Sequence, residues 1–264
     1  MLTLKEIRDK YQTPRYNRKK MDHLATKLIY SRFATPIVWL LLHTRITANQ
    51  VTAGWVVLGV FSCYLFTLGN YWATILAALL IQLHITLDYV DGPIARIRNS
   101  SSIDSKRGLY IERVGHDLIY TLYFFCISTG AIKKGFEPTF ILTMGFLASW
   151  GYFFYKYTRR AKIFCTLIYN VNKNDKKNVI TNEIESKQNE AISKNLLKIF
   201  YRSIQPLWDP ITFTIITLIF ALFDLVYVLP IFYGLTYPIH FVISYIYQAR
   251  IKDDWVFEWI KNFR

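Results

Sequence analysis

Six long apolar stretches constrain this chain more than any other feature. They fall near residues 47–69, 71–95, 109–132, 138–158, 209–229 and 231–249. At about 1.5 Å per residue, each is long enough to cross a hydrocarbon core of roughly 30 Å as a helix. With 53% hydrophobic and 17% aromatic residues over 264 positions, the expected class is all-α: a polytopic membrane protein with six transmembrane helices.

Orientation follows from the basic residues, which are retained on the cytoplasmic side of span ends. Of the 32 Lys and Arg, all but Lys133 and Lys134 flank one side: before the first span, between spans two and three, between four and five, and in the tail. Both termini and the end of span two are therefore expected in the cytoplasm. The net charge of +14 then reflects topology and attraction to anionic lipid head groups, and no nucleic-acid module is expected.

Residues 18–33 place Met21, Leu24, Ala25, Leu28, Ile29 and Phe33 on one helical face, with Lys19, Lys20, Lys27 and Arg32 off it. That is the pattern of an amphipathic helix lying in the membrane interface, or packed on the bundle's cytoplasmic side. The expected organisation is a cytoplasmic N-terminal segment (1–45), a six-helix domain (46–250) containing a cytoplasmic loop (160–205), and a cytoplasmic tail (251–264). The N-terminus is charged from Lys5 onward, so no secretory signal peptide is expected. Cys63, Cys126 and Cys165 form no CxxC pair and are expected to be packing residues.

Span two ends in Asp88-Tyr89-Val90-Asp91-Gly92-Pro93-Ile94-Ala95-Arg96. Carboxylates are expensive at that depth, so a metal or a reaction is the expected reason for them. On a helix Asp88, Asp91 and Ala95 share a face. Gly92 and Ala95 would let a bulky ligand approach the backbone, and Pro93 is expected to kink or end the helix. After the loop 97–107, span three opens Gly108-Leu109-Tyr110-Ile111-Glu112-Arg113-Val114-Gly115-His116-Asp117, and Glu112 and His116 share a helix face.

This arrangement resembles the CDP-alcohol phosphotransferase family, whose signature reads DxxDGxxAR, about eight residues, then GxxxDxxxD. The first half is matched at Asp88, Asp91, Gly92, Ala95 and Arg96. In the second half the gap is longer, Glu112 stands at the third acidic position and His116 at the fourth. Thr47-Ala48-Asn49-Gln50-Val51-Thr52 is similar to the TPNxxT segment that often opens the family's first span, with Ala48 in place of proline. The resemblance covers roughly residues 45–165.

The resemblance implies transfer of a substituted phosphate from a CDP-linked donor, such as CDP-diacylglycerol, to an alcohol acceptor, with release of CMP, in phospholipid or related head-group synthesis. At least one of the two substrates would be a lipid. It implies Mg2+ or Mn2+ held by Asp88, Asp91 and Glu112, nucleotide contacts at Gly92, Ala95, Arg96 and Gly108, and a homodimer. Carboxylate oxygens suit such hard cations, which neutralise charge on a leaving phosphate.

His116 is expected as the general base, since a neutral imidazole can take an acceptor hydroxyl proton at neutral pH. Two other readings stay open: a metal ligand, or a packing residue beside Asp117 as the acid that matters. His84 reads as a buried hydrogen-bonded histidine, and Asn49 as a residue reaching the site from span one. Arg159, Arg160 and Lys162 read as membrane anchors or as ligands of an acceptor phosphate. Asp104 is expected in solvent, and Asp209 and Asp224 show no partner in sequence. A catalytically silent nucleotide- or lipid-binding relative is the alternative function, and a transporter the third.

Overall fold

The computed structural model describes residues 3–8, 30–98, 102–174 and 208–250. Their regular elements are helices: α1 (Leu4–Glu6), α2 (Ser31–Leu42), α3 (Ala48–Thr67), α4 (Tyr71–Ile97), α5 (Ser102–Ile132), α6 (Pro138–Asn174), α7 (Pro210–Leu222) and α8 (Val228–Arg250). Six of them, α3 to α8, stand where the six apolar stretches were expected to cross. Three meet the length and composition of a span: α3, α4 and the part of α8 up to Ile246. The first half of α5 is interrupted by charges such as Glu112, Arg113 and Asp117. At about 20 Å, α7 is shorter than a hydrocarbon core.

Local chemistry explains where the helices start and stop. Thr47 caps α3 in a reciprocal box with Gln50: the Gln50 N–H donates to Thr47 Oγ1 (3.3 Å) and Gln50 Oε1 accepts from the Thr47 N–H (2.8 Å). Ala48 then occupies the first helical position, where a strong helix former serves as well as proline. The turn after α3 needs Gly69 at φ +68°, where an added Cβ would lie 2.6 Å from the Gly130 carbonyl oxygen. Asn70 caps α4 through the Ala73 N–H at 2.8 Å. Asp209 caps α7 through the Ile211 N–H at 3.1 Å, with Pro210 following.

Several boundaries differ from expectation. α4 does not stop at Pro93 but runs a further turn to Ile97, closed by the Arg98 N–H donating to the Ile94 carbonyl at 3.0 Å. α5 begins at Ser102 and shortens the expected loop 97–107, because Ser102 and Asp104 are residue types that open helices. α6 runs to Asn174, past the expected loop start at 160, since no proline or glycine interrupts it there. The fifth apolar stretch breaks at Leu222 instead of continuing to 229. Asp224 adopts φ 57°, tolerated by aspartate, and pairs with Lys134 Nζ at 2.5 Å. The expected interfacial helix 18–33, apart from its last residues, lies outside the described residues, as do 175–205 of the expected loop and the tail 251–264.

Two apolar clusters hold the bundle. The larger is aromatic: Tyr123 and Phe124 of α5 meet Phe213 of α7 and Tyr233 and Tyr237 of α8, with the Phe124 and Tyr233 ring centroids 4.9 Å apart. The smaller joins Ile7, just after α1, to Ala34, Val38, Val51, Val90 and Ile94 of α2, α3 and α4. Beside it the Arg98 guanidinium closes the end of α2, donating from Nη2 to the carbonyls of Leu41 (2.8 Å) and Thr44 (2.6 Å) and from Nη1 to that of Ile46. The start of α3, the end of α4 and the first half of α5 are thereby brought together.

Candidate active site

Residues three apart on a helix point about 60° apart, so Asp88 and Asp91 of α4 can address different neighbours. Asp88 faces α5, where Glu112 and His116 lie one turn apart. Each of the three can offer an atom within 4.8 Å of the others, all half-buried. Nε2 of His116 lies 3.2 Å from Asp88 Oδ1. Against an ionised carboxylate that nitrogen donates, which leaves Nδ1 as the lone pair. Nδ1 is buried and makes no hydrogen bond among the described residues.

Asp91 faces α3 instead. It is 7% exposed, and its Oδ2 accepts from Thr52 Oγ1 at 2.7 Å and from the indole Nε1 of Trp55 at 3.1 Å. The expected metal set Asp88, Asp91 and Glu112 is thus divided: Asp88 and Glu112 group with His116, and Asp91 stands outside that group.

Two cavities meet this arrangement. The larger, about 480 Å³, brings together Asp91, Gly92, Ala95, Arg96, Gly108 and Glu112, with Asn49 and Thr52 on its α3 side. Gly92 lines this cavity and also has a local use. A Cβ there would lie 3.2 Å from Arg96 Nη1, so the glycine lets the guanidinium fold back over its own helix. At Gly108 a Cβ would lie 2.6 Å from Asn49 Oδ1, so this glycine lets α5 approach α3.

The smaller cavity, about 180 Å³, includes Asp88, His116 and Tyr120 together with Tyr152, Lys156 and Asp209. Asp117 opens into it and is paired with Arg160, turned away from the acid–histidine group. His84 is fully buried: its Nδ1 donates to the Trp55 carbonyl at 3.0 Å, and its Nε2 lies 3.5 Å from the Tyr120 hydroxyl. The side chains of Asp104, Arg159 and Lys162 lie outside the described residues.

Sequence reasoning missed Trp55, Tyr152 and Lys156, and gave Thr52 no role beyond its place in a motif. Trp55 carried one usable signal: an indole within an apolar helix needs a partner for its N–H, and it follows Thr52 on the same face.

The donor set fits a hard divalent cation. Two carboxylates and an imidazole converge at a half-buried site, and a divalent charge would relieve the crowding of negative charge.

Residues 45–111 match the family model of CDP-alcohol phosphatidyltransferase. The matched segment holds Asp88, Asp91, Gly92, Ala95, Arg96 and Gly108, and ends one residue before Glu112. No curated protein matches the chain.

Proposed function

From the match of residues 45–111 to the CDP-alcohol phosphatidyltransferases, an integral membrane family of transferases for phosphate-containing groups, we propose that this chain transfers a substituted phosphate from a CDP-linked donor to an alcohol and releases CMP. The observation that carries the reading is the convergence of Asp88, Glu112 and His116 between two cavities, one of them containing the motif residues Asp91, Gly92, Ala95, Arg96 and Gly108.

The nucleotide half of the donor occupies the larger cavity, where the Arg96 guanidinium pairs with diphosphate oxygens. Asp88 and Glu112 hold Mg2+ or Mn2+, with Asp91 contributing from the α3 side. When bound, the cation neutralises charge on the diphosphate and on the leaving CMP. The acceptor hydroxyl comes from the smaller cavity and its oxygen bonds to the phosphorus that carries the donor's alcohol. The bond from that phosphorus to the bridging oxygen breaks, and CMP leaves with the oxygen. His116 is the base that takes the hydroxyl proton, with Asp88 orienting its ring through Nε2. Positioning and electrostatics supply most of the rate.

One observation favours a second role for His116. Its grouping with Asp88 and Glu112 within 4.8 Å suits a third metal ligand. His116→Asn separates the two: a base leaves Mn2+ binding intact and removes turnover, whereas a ligand weakens both.

In the membrane we place both termini and the site on the cytoplasmic side, because the Lys and Arg residues gather there. Six crossings and a homodimer complete the reading. The test is metal-dependent CMP release from purified protein, with a panel of CDP-linked donors, lipids and small alcohols, beside Asp91→Asn. An amide oxygen can still accept from Thr52 and Trp55, so this variant deletes the charge with the bonds in place. We expect it to fold and to lose about 100-fold or more in rate, the scale of removing one electrostatic stabiliser. Equal release by the variant, or none by the parent with any substrate pair, would overturn the assignment.

A further inference from the structure

Trp55 touches Asp91, His116 and His84 at once. Its indole is fully buried on α3. Its Nε1–H donates to Asp91 Oδ2 at 3.1 Å, and its ring lies against the His116 ring with centroids 4.7 Å apart at 31°. Its carbonyl oxygen accepts from His84 Nδ1 at 3.0 Å. A carbonyl only accepts, so the His84 proton sits on Nδ1 and the lone pair of Nε2 faces the Tyr120 hydroxyl. Tyr120 in turn stacks on His116 at 5.6 Å and 5°. One indole therefore contacts both the acid that faces α3 and the histidine that faces Asp88.

Thr52, one turn earlier, closes the same carboxylate oxygen. Its hydroxyl has one proton and two acceptors in reach, Asp91 Oδ2 at 2.7 Å and the Ala48 carbonyl at 3.1 Å. The shorter bond, to a carboxylate, is the stronger. Both donors sit on Oδ2, so Oδ1 receives neither. A carboxylate held by one oxygen has its two side-chain torsions fixed before any ligand arrives, which is how outer residues orient metal-binding groups.

We propose that Thr52 and Trp55 are positioning residues that pre-set the Asp91 carboxylate for a divalent cation, with Trp55 also setting the His116 ring. The proposal rests on the metal-dependent reading above. It assigns a purpose to Asp91's place outside the acid–histidine group: the residue is oriented from α3, while Asp88 is oriented from α5.

The test uses full-length protein in detergent and Mn2+ alone, with free Mn2+ read by electron paramagnetic resonance and folding by circular dichroism and thermal unfolding. Thr52→Val and Trp55→Phe are expected to weaken Mn2+ binding by about 10- to 100-fold, the usual cost of losing an outer-shell partner. Thr52→Ser, which keeps the donor, is expected to stay close to the parent. If Asp88→Asn loses Mn2+ while folded Thr52→Val and Trp55→Phe bind it as the parent does, the proposal is overturned and the metal site stands. If the parent binds no Mn2+, the metal reading fails and takes the proposal with it. Should Trp55→Phe not fold, the Thr52→Val and Thr52→Ser pair decides the matter.

Discussion

Gly108 shows how closely single residues shape the larger cavity. A methyl at this position would meet Asn49 Oδ1 at 2.6 Å, the end of a short side chain that can rotate away. Gly108→Ala is therefore expected to cost little stability, under about 1.5 kcal/mol. It would displace Asn49 from the cavity, and we expect a several-fold rise in KM for the CDP-linked donor with kcat nearly unchanged. Initial rates and a thermal unfolding curve check both halves, and a rise in neither would remove Asn49 from the donor site. At this scale the sequence was informative where partners share a helix. The spacing of Glu112 and His116 set them on one face, whereas His84 read as a buried hydrogen-bonded residue without its partners on α3 and α5. It was blind to partners on other helices. The roughly 60° between Asp88 and Asp91 looks like one face in sequence, yet it is enough to send one acid to α5 and the other to α3. Asp117 turns toward Arg160, 43 positions along, which no local spacing reveals.

Among the elements, the junction of α2, α3 and α4 depends on one guanidinium. Arg98 donates to the carbonyls of Leu41, Thr44 and Ile46, groups that the end of α2 and the linker would otherwise leave to water. Arg98→Ala is expected to lower stability by about 1–2 kcal/mol, the scale of a charge-assisted bond or two at a half-exposed site. It should also loosen the start of α3, read as faster hydrogen exchange at residues 48–52. Unchanged exchange there would make the clasp incidental. At the opposite end of the bundle Glu137 caps α6: the backbone N–H groups of Phe140 and Thr139 hold its carboxyl below its ordinary value. A depressed carboxylate contributes stability that is present above the ordinary value near 4.5 and lost as pH falls through the lower folded one. Glu137→Gln should therefore flatten the acid limb of the stability profile, and an unchanged limb would exclude this cap as its source. Helix placement was readable from apolar length. The break at Leu222 was not, and the ion pair beside it joins Asp224 to Lys134, 90 positions apart.

At the scale of the molecule, three helices among the described residues carry the length and composition of spans, and the aromatic core of α5 to α8 backs the half of the bundle where α3, α4 and α5 meet. Apolar length was enough to read an all-helical chain with helices fit to span a membrane. The division of the site into two chambers was not readable, since it arises from how α6 and α7 stand against α5. That division has a kinetic consequence. Under the proposed reaction, with the acid–histidine group between the two cavities, donor and acceptor would be seated at once, and neither would have to leave before the other enters. Initial rates with both substrates varied should give intersecting double-reciprocal lines, with CMP competing against the donor and not against the acceptor. Parallel lines would mean that the two chambers are filled in turn.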